Sequence, residues 1–420
     1  MPTHTYFDSP GLYRHPKHFY DVGASPYLLE ELIKHIDEAA STLGTIYVAF
    51  YLFNNKILSE KLIQLAASGV KVHIITIPIS GYDKENPQEI RLVTTQAKLG
   101  PATKYTLARE VFAPYYRNKV AGATLSFFPH QYIRSSSFTG FSKSEMPYSM
   151  HIKGILAIKK DGGGFVALSS SNFAVRDAIK EEYLVVIEDE PEVLAPVKQF
   201  FEHLRIASIP IADFDFKSLY NKYPTPATQY PVNTRVGFTA PFYPKSNLNA
   251  EKDIVNLIAN ATSTIQIAAQ HICFTVGWRN GILEALKERA AAGVSVQIIS
   301  QTFASGNREI DKHCRTPANT EAFIEFYNAI ARKPNISYHV NENLHSKYII
   351  ADRRVLVSSF NYTPTQLIYK KVSINTDKLQ YEGIFSECGI YTIIDDDASV
   401  AAFKANFEEL KKREHTLTIQ

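Results

Sequence analysis

The order of hydrophobic and polar positions repeats in two stretches of the chain. In residues 44–78 an apolar, β-branched run is followed by an amphipathic segment and a second apolar run, the pattern of a strand, a helix and a strand. Residues 263–302 show the same order. Gly69 and Gly293 each follow the amphipathic segment, where helices often end in a left-handed residue. Because strand–helix–strand units look alike in many α/β proteins, the pattern alone leaves a common origin of the two units open.

One further helix per unit and one linker complete the predicted organisation. An apolar stripe at helical spacing precedes each unit, in residues 25–41 and 249–262. A proline-rich and polar stretch, residues 223–247, separates the units. We therefore predict two domains, residues 1–225 with an insertion around residues 81–150, and residues 226–420.

The composition is typical of a soluble globular protein. The 420 residues suffice for two domains with full cores, and 45% are hydrophobic while 21% are charged. The formal net charge of +3 gives no strong electrostatic reason to bind nucleic acid or an anionic membrane. No apolar run approaches the roughly 20 residues that span a bilayer, so we expect no transmembrane segment.

The cysteines and the first residues favour a cytoplasmic location. Cys273, Cys314 and Cys388 fit neither a disulfide framework nor a metal-binding spacing. The opening MPTHTYFDSPGLYRHPKHFY lacks the apolar core of a secretory signal. We expect a reducing compartment and leave peripheral contact with a membrane open.

Each half contains a histidine and a lysine two residues apart, followed by a serine and an asparagine at the same spacing. Since residues i and i+2 of a strand face the same side, each pair presents its side chains together. Turn-forming segments, residues 159–164 and 351–355, predict a hairpin between the pairs. The residues are His151, Lys153, Ser170 and Asn172 in the first half and His345, Lys347, Ser359 and Asn361 in the second.

This set of side chains suits a phosphodiester. Ammonium, amide and hydroxyl groups donate hydrogen bonds to non-bridging oxygens, and such donors gain most where charge concentrates. An imidazole can attack phosphorus or protonate the leaving oxygen, because its pKa lies near neutrality. In-line displacement needs an attacking group on one side and an acid on the other. We therefore predict an α/β fold of two tandem homologous halves, each a mixed sheet flanked by helices, with one active site in the cleft between them. A monomer is then sufficient for a complete site.

A third histidine and lysine at this spacing, His15 and Lys17, act as an internal comparison. Pro16 between them is incompatible with a central strand, and no Ser-x-Asn follows. The other two pairs recur at matching positions of the repeat. That recurrence favours a shared function and a common origin of the halves.

The two segments resemble the H-x-K-x4-D and G-S-x-N motifs of the phospholipase D superfamily, over roughly residues 25–400. The second segment matches with His345, Lys347 and Asp352, followed by SSFN at 358–361. The resemblance implies that this aspartate mainly supports the local structure. We include it in the candidate catalytic set.

The first segment departs from the family pattern. Ile158 stands where the aspartate is expected, and Asp161 is displaced into the turn. Ser169 and Ser358 replace the glycine before Ser-x-Asn. These departures put the geometry of the first motif in question.

The resemblance implies a covalent mechanism without a metal or another cofactor. One histidine forms a phosphohistidine, and the other protonates the leaving group and then activates water or an alcohol. We favour His151 as nucleophile and His345 as acid and base, and the sequence leaves the reverse order open. The lysines already supply positive charge. The residues expected to hold the phosphoryl oxygens are Lys153, Lys347, Asn172 and Asn361.

Family members also carry an acidic residue after Ser-x-Asn that orients a histidine. Glu182 and Glu387 can be aligned with that place, each at the start of an apolar strand. A buried carboxylate there would fix the imidazole tautomer. An ordinary glutamate at a strand edge is the alternative for each.

An irregular segment before the first motif carries the candidate substrate-binding residues. Such insertions beside a site are often functional. Basic and aromatic side chains there could stack on bases, could enter a lipid surface, or could form a covering loop. Trp278 could line the entrance or lie in the core. The candidates in the irregular segment are Arg134, Phe138, Phe141 and Lys143.

The sequence therefore predicts a metal-independent phosphodiesterase, with a phospholipid favoured as substrate. Hydrolysis and phosphatidyl transfer are both open. The absence of basic runs is the argument against a nuclease, which stays the alternative. A catalytically inactive protein that binds phosphodiesters is the third option, because the first motif lacks its aspartate.

Overall fold

The computed structural model contains two eight-stranded sheets of mixed type. The residues that it describes are 3–8, 27–77, 111–112, 114–115, 120–128, 150–173, 180–213, 235–240, 242–243, 250–272, 281–301, 334–341, 343–362, 367, 370–376, 379–385, 388–413 and 416–419. All statements on structure below concern these residues.

The first sheet is formed by the N-terminal half of the chain. Its order is β1-β7-β6-β5-β2-β3-β4-β8. The neighbours β2, β3 and β4 are parallel, and the other neighbours are antiparallel. The strands are β1 (Thr3–Asp8), β2 (Leu43–Phe50), β3 (Lys71–Thr76), β4 (Ala123–Phe127), β5 (Lys153–Lys159), β6 (Gly164–Ser169), β7 (Glu182–Glu188) and β8 (Ile209–Pro210).

The second sheet is formed by the C-terminal half. Its order is β18-β12-β11-β10-β13-β14-β17-β9, with β10, β11 and β12 parallel. A separate hairpin, β15 with β16, is inserted before β17. The strands are β9 (Val236–Thr239), β10 (Thr264–Ala269), β11 (Ser295–Ser300), β12 (Ile336–Asn341), β13 (Lys347–Ala351), β14 (Arg354–Ser358), β15 (Lys370–Thr376), β16 (Leu379–Phe385), β17 (Gly389–Ile394) and β18 (Thr416–Ile419).

The two sheets have the same topology. Reversing the second order gives β9-β17-β14-β13-β10-β11-β12-β18, in which every strand has a counterpart at the same place in the first sheet. The prediction of two tandem α/β halves is thereby confirmed. The strands of the first sheet end at Pro210 and those of the second begin at Val236. The predicted boundary at 225/226 lies between them, outside the described residues, and stays a prediction.

Amphipathic helices cover the sheets. In the first of them, Leu29, Leu32 and Ile36 are spaced by three or four residues and are fully buried. The second helix begins at an N-cap, Asn55, whose Oδ1 accepts a hydrogen bond from the backbone N–H of Leu58. The helices are α1 (Tyr27–Ala39), α2 (Lys56–Ala67), α3 (Pro191–Ile206), α4 (Ala250–Ala259), α5 (Gly281–Ala291) and α6 (Asp397–Lys412), with a short 3₁₀ helix at Ile211–Asp213. Among the helices in the described part of the chain, none combines the length and apolar composition needed to cross a bilayer.

The halves share a continuous hydrophobic core. Tyr183 of the first half packs edge-on against Tyr348 and Phe403 of the second, with ring centroids 6.3 Å and 5.9 Å apart. Phe200 on α3 stacks on Phe238 of β9 at 4.4 Å. Because buried aromatic pairs of this kind resist separation, the interface fixes the relative position of the two motifs.

Asp352 has a structural part in the second half. It has a φ of 51° at the turn after β13, and its carboxylate accepts four hydrogen bonds from Thr262, Ser263 and Thr264 at 2.7–2.9 Å. Burial would raise the pKa of Asp352, but these hydrogen bonds lower it below its usual value. The side chain ties the β13–β14 turn to the start of β10.

The first half has a longer hairpin in place of the hydrogen bonds that Asp352 accepts in the second half. Ile158 stands at the place of Asp352 and continues β5 by pairing with Thr45 and Gly164. A Cβ at Gly164 would lie 1.9 Å from the carbonyl oxygen of Ala157, so only glycine fits there. The missing aspartate therefore alters the far end of the hairpin and leaves the end that bears His151 in place.

We expect Asp352→Ala to lower stability by about 2 kcal/mol, because four hydrogen bonds that join the turn to the start of β10 are lost. Thermal unfolding at pH 7 measures the effect. Asp352→Asn keeps an acceptor and should cost less. Activity per folded molecule should stay within a factor of about two, since the carboxylate is remote from the histidines. A large loss of activity with unchanged stability would contradict this structural part.

Candidate active site

The backbone of each half holds the histidine motif of the other. The N–H of His151 donates to the carbonyl of Cys388 at 2.7 Å, and the N–H of His345 donates to the carbonyl of Glu181 at 3.1 Å. Isolated parallel bridges join Met150 to Cys388, and Glu181 to Leu344. The two motifs are thus interleaved at the ends of β5 and β13.

His151 is fixed in one tautomer by a backbone carbonyl of the second half. Its Nδ1 lies 2.8 Å from the carbonyl oxygen of Ser359. Lys153 Nζ is also 3.3 Å from this Nδ1, but a lysine and a carbonyl cannot both be satisfied there. The shorter contact requires Nδ1 to donate, and Lys153 Nζ donates instead to the His151 carbonyl at 3.1 Å. Nε2 therefore carries the lone pair.

The charge of His151 is set by its surroundings. Burial, together with the charges of Lys153, Lys347 and His345, holds the pKa of His151 well below its usual range, against the opposite effect of the Ser359 hydrogen bond. At neutral pH the ring is uncharged. An uncharged imidazole with an unprotonated Nε2 has the form required of a nucleophile.

His345 is held by a carboxylate. Its Nδ1 lies 2.6 Å from Oε1 of Glu182, a residue of the first half that is 1% exposed. Burial raises the pKa of Glu182 to about 7, although the charges of Lys347 and Lys153 and the hydrogen bond from Ser170 lower it. A carboxylate at this distance stabilises the imidazolium form. The two histidines, related by the repeat, thus receive different partners.

The two lysines are buried and occupy equivalent places. Lys153 is 1% and Lys347 0% exposed. Each Nζ donates to the carbonyl of the histidine two residues earlier in its own half. Buried ammonium groups favour an anion in their neighbourhood, so the pair suits the non-bridging oxygens of a phosphodiester.

The two serines of the motifs join neighbouring strands beside the site. Oγ of Ser170 accepts from the N–H of Tyr183, and Oγ of Ser359 accepts from the N–H of Ile390, at 2.9 Å and 3.0 Å. These serines hold β7 and β17 to the ends of β6 and β14. Both serines are buried and accept from the backbone, and Ser170 also donates to Glu182, so we interpret them as positioning residues.

The asparagines are buried beside the histidine motifs. Asn172 and Asn361 are each 6% exposed. Oδ1 of Asn172 accepts from the N–H of Leu52 at 3.2 Å. This contact turns the amide oxygen of Asn172 toward the backbone, and the amide nitrogen is a hydrogen-bond donor.

One glycine explains why His345 is held by a carboxylate and His151 by a backbone carbonyl. Ser169 pairs with Leu184 in the first half and Ser358 with Tyr391 in the second, which makes Gly389 the counterpart of Glu182. A Cβ at Gly389 would lie 2.4 Å from the ring of Phe360. No side chain fits there, and the Ser359 carbonyl serves His151 instead.

A family model described as "Cardiolipin synthase, PLD-like domain" matches residues 32–205 and 254–411, most of the chain. The chain belongs to the phospholipase D-like family. The resemblance predicted from the motifs is confirmed. A search among curated proteins found no significant match.

Two solved structures resemble the chain at low identity. A phosphatidylserine synthase from Haemophilus influenzae Rd KW20 is 13% identical, with a TM-score of 0.54 over 93% of this chain and 85% of the other. A polyphosphate kinase from Porphyromonas gingivalis is also 13% identical, with a TM-score of 0.53 over 98% of this chain. The chain spans 51% of that kinase. These likenesses show the fold.

Several predicted residues lie outside the described part of this phospholipase D-like chain. Their parts in the site stay predictions. They are Arg134, Phe138, Phe141, Lys143, Trp278 and Glu387.

Sequence reasoning missed Tyr51. Its ring centroid lies 5.5 Å from that of His151 and 5.7 Å from Nζ of Lys153. The signal was its place directly after β2, at the end of a central strand of the repeat. The carbonyl of Ser359 was missed as well, because a backbone group leaves no mark in a side-chain pattern.

Proposed function

We propose that the protein is a metal-independent phosphodiesterase that acts on phospholipids through a phosphohistidine. The observation that carries the proposal is the unequal pair of histidines. His151 is neutral with a bare Nε2, and His345 is paired with the buried Glu182. One is suited to attack and the other to donate a proton.

In the first step Nε2 of His151 attacks phosphorus. A nitrogen–phosphorus bond forms while the bond from phosphorus to the leaving oxygen breaks. The leaving oxygen takes the Nε2 proton of His345, and an alcohol departs. Lys153 and Lys347, with the two asparagine amides, stabilise the charge on the non-bridging oxygens.

In the second step His345, now deprotonated at Nε2, accepts a proton from the incoming oxygen nucleophile. The oxygen bonds to phosphorus and the nitrogen–phosphorus bond breaks, with its electron pair returning to His151. Water gives a phosphomonoester and an alcohol gives a new diester. Glu182 stabilises the imidazolium at both proton transfers.

Two observations support a phospholipid as substrate. The net charge of +3 gives no strongly basic track, which a non-specific nuclease requires. The family description names cardiolipin synthase, and one structural neighbour is a phosphatidylserine synthase; both names refer to phospholipids. We extend this substrate class to the present chain and place the protein in the cytoplasm, in peripheral contact with a membrane.

A single panel tests the proposal. Purified protein in excess chelator is expected to consume phosphatidylglycerol in mixed micelles and to release nitrophenolate from bis(p-nitrophenyl) phosphate. Single- and double-stranded DNA and RNA should be degraded at least about a hundredfold more slowly than lipid, because the protein offers them no strongly basic surface on which to bind. Preferred degradation of nucleic acid would establish the nuclease alternative. Binding of diesters without any turnover would establish an inactive binding protein.

A further inference from the structure

Two positions at the ends of β2 and β10 break the chemical symmetry of the site. Tyr51 follows β2, and its N–H donates to the carbonyl of Ile152 at 2.9 Å. Gln270 follows β10, and its N–H donates to the carbonyl of Ser346 at 2.9 Å. Each of these carbonyls belongs to the residue between the histidine and the lysine of a motif. Tyr51 and Gln270 are therefore counterparts that border the two histidines.

Tyr51 gives the first half an aromatic border. Its ring packs against the ring of His151 and lies near the Lys153 ammonium. Leu52 and Phe53, which follow it, are half-buried and buried. Among the described residues, Tyr51 and Leu52 therefore give this side of His151 an aromatic and aliphatic border next to the Lys153 ammonium.

Gln270 gives the second half a hydrogen-bonding border. Its Nε2 donates to Oε1 of Gln301, a buried residue directly after β11, at 3.1 Å. The N–H of Gln301 donates back to the Gln270 carbonyl at 3.2 Å. His271 stands where the first half has Leu52. Two amides and an imidazole replace the apolar run of the other half.

In-line geometry places the leaving arm on the side of Gln270. When His151 attacks, the leaving oxygen lies on the opposite side of phosphorus, next to His345, whose motif is bonded to Gln270 through the Ser346 carbonyl. The other arm stays on the phosphorus that is bound to His151, and Tyr51 is the aromatic side chain next to that histidine.

We propose that Tyr51 and Gln270 make the site select diesters with two unlike arms, an inference that rests on the proposed function. Tyr51 receives an apolar arm that is retained on phosphorus. Gln270, held by Gln301, receives a leaving alcohol that carries a further hydroxyl or amino group. The substrate is an amphiphilic diester, whereas both arms of a nucleic-acid phosphate are sugars.

The retained arm is tested with two chromogenic probes that share the nitrophenolate leaving group. These are p-nitrophenyl octyl phosphate, kept below micelle formation, and p-nitrophenyl phosphocholine. We expect the wild type to prefer the octyl probe by about tenfold in kcat/KM, the scale of a small hydrophobic pocket. Tyr51→Gln should remove this preference, and Tyr51→Phe, which keeps the ring, should retain it. The ratio is the readout, because loss of the ring also slows both reactions.

The leaving arm is tested with phosphatidylglycerol and phosphatidylethanol of the same acyl chains in mixed micelles. The wild type should consume phosphatidylglycerol about tenfold faster, since ethanol offers no further hydrogen-bonding group. Gln270→Leu should equalise the two rates. The matched control is Gln266→Leu, on β10 itself, whose Nε2 donates to Gln297 at 3.4 Å and to Glu408 at 3.0 Å. This control should keep the preference.

The outcomes separate the inference from the function on which it rests. A wild type that cleaves bis(p-nitrophenyl) phosphate without either preference, or with a reversed one, overturns the inference and leaves the phosphodiesterase intact. Preferences that survive in Tyr51→Gln and Gln270→Leu overturn it as well. Absence of turnover on every diester overturns the proposed function. The wild-type ratios decide even where a variant fails to fold.

Discussion

Replacement of His151 by alanine is expected to reduce phosphodiester turnover by at least about a thousandfold. The variant loses the atom to which phosphorus is transferred, and the lysines cannot replace it because their nitrogens are donors only. The loss should be similar for lipid and for nitrophenyl substrates. Incubation of the wild type with substrate, followed by rapid denaturation at alkaline pH, should give a mass increase on the peptide that contains His151.

His345→Ala should behave differently. Nitrophenolate leaves without a proton, so the variant should release about one equivalent in a burst and then stall as the phosphohistidine, because no base activates water. Lipid substrates need the acid and should show no burst. His203→Gln is the matched control. His203 lies on α3, where its Nδ1 is hydrogen-bonded to the hydroxyl of Tyr243 at 2.9 Å. A burst in the His151 variant, with the label on His345, would reverse the order. Undiminished activity in both variants would refute the mechanism.

Glu182→Gln is expected to slow the cleavage of alkyl phosphodiesters by about a hundredfold at pH 7. Glutamine preserves the shape and removes the charge that stabilises the imidazolium of His345. The pair titrates as a unit, so the alkaline limb of the pH profile should move to lower pH by about one unit. Nitrophenyl substrates, which need no acid, should be much less affected in the first turnover.

The same substitution should change the dependence of stability on pH. Folding raises the pKa of Glu182 from 4.5 to about 7. The folded protein therefore retains a proton that the unfolded chain releases, and stability falls as pH rises from about 4.5 to about 7. Glu182→Gln removes that loss, so the melting temperature of the variant relative to wild type should rise between pH 5 and pH 8. A relative melting temperature that stayed constant would show that the carboxyl is not held protonated by burial.

Glu188→Gln provides a control with the same chemistry. Glu188 lies on the same strand, β7, and its Oε1 is 2.8 Å from Nδ1 of His35. This histidine–glutamate pair lies at the other end of the strand. Turnover and its pH profile should match the wild type. A hundredfold loss here would mean that any charge change in β7 disturbs the site.

The repeat and the pairing of side chains within each motif could be predicted from the sequence because both depend on spacing. Alternation within a strand places His151 with Lys153, and His345 with Lys347, whatever the surrounding fold. The parallel central strands and the amphipathic helices likewise follow from periodicity. The match with the family motif indicated which apolar runs are equivalent strands of the two halves.

Glu182 was predicted as a residue that orients a histidine, but which histidine it holds, and what holds the other, depend on register and docking. The hydrogen bonds of Ser170 and Ser359 make Gly389 the counterpart of Glu182, while the part of Glu387, which lies outside the described residues, stays a prediction. The hairpin β15–β16 lies between Asn361 and β17, so residue counting fails there. The carbonyl that serves His151 comes from the other half of the chain, and only the docked halves bring it into reach.

The crossed backbone contacts of His151 with Cys388 and of His345 with Glu181 have a consequence for how such a molecule can evolve. Neither half can complete the site alone, since the backbone and ring nitrogens of each histidine are held by the opposite half. A substitution that weakens the contacts between the halves is expected to displace both histidines together. Selection therefore acts on the two halves as one unit, whereas counterpart residues outside these contacts, such as Tyr51 and Gln270, can differ between the halves.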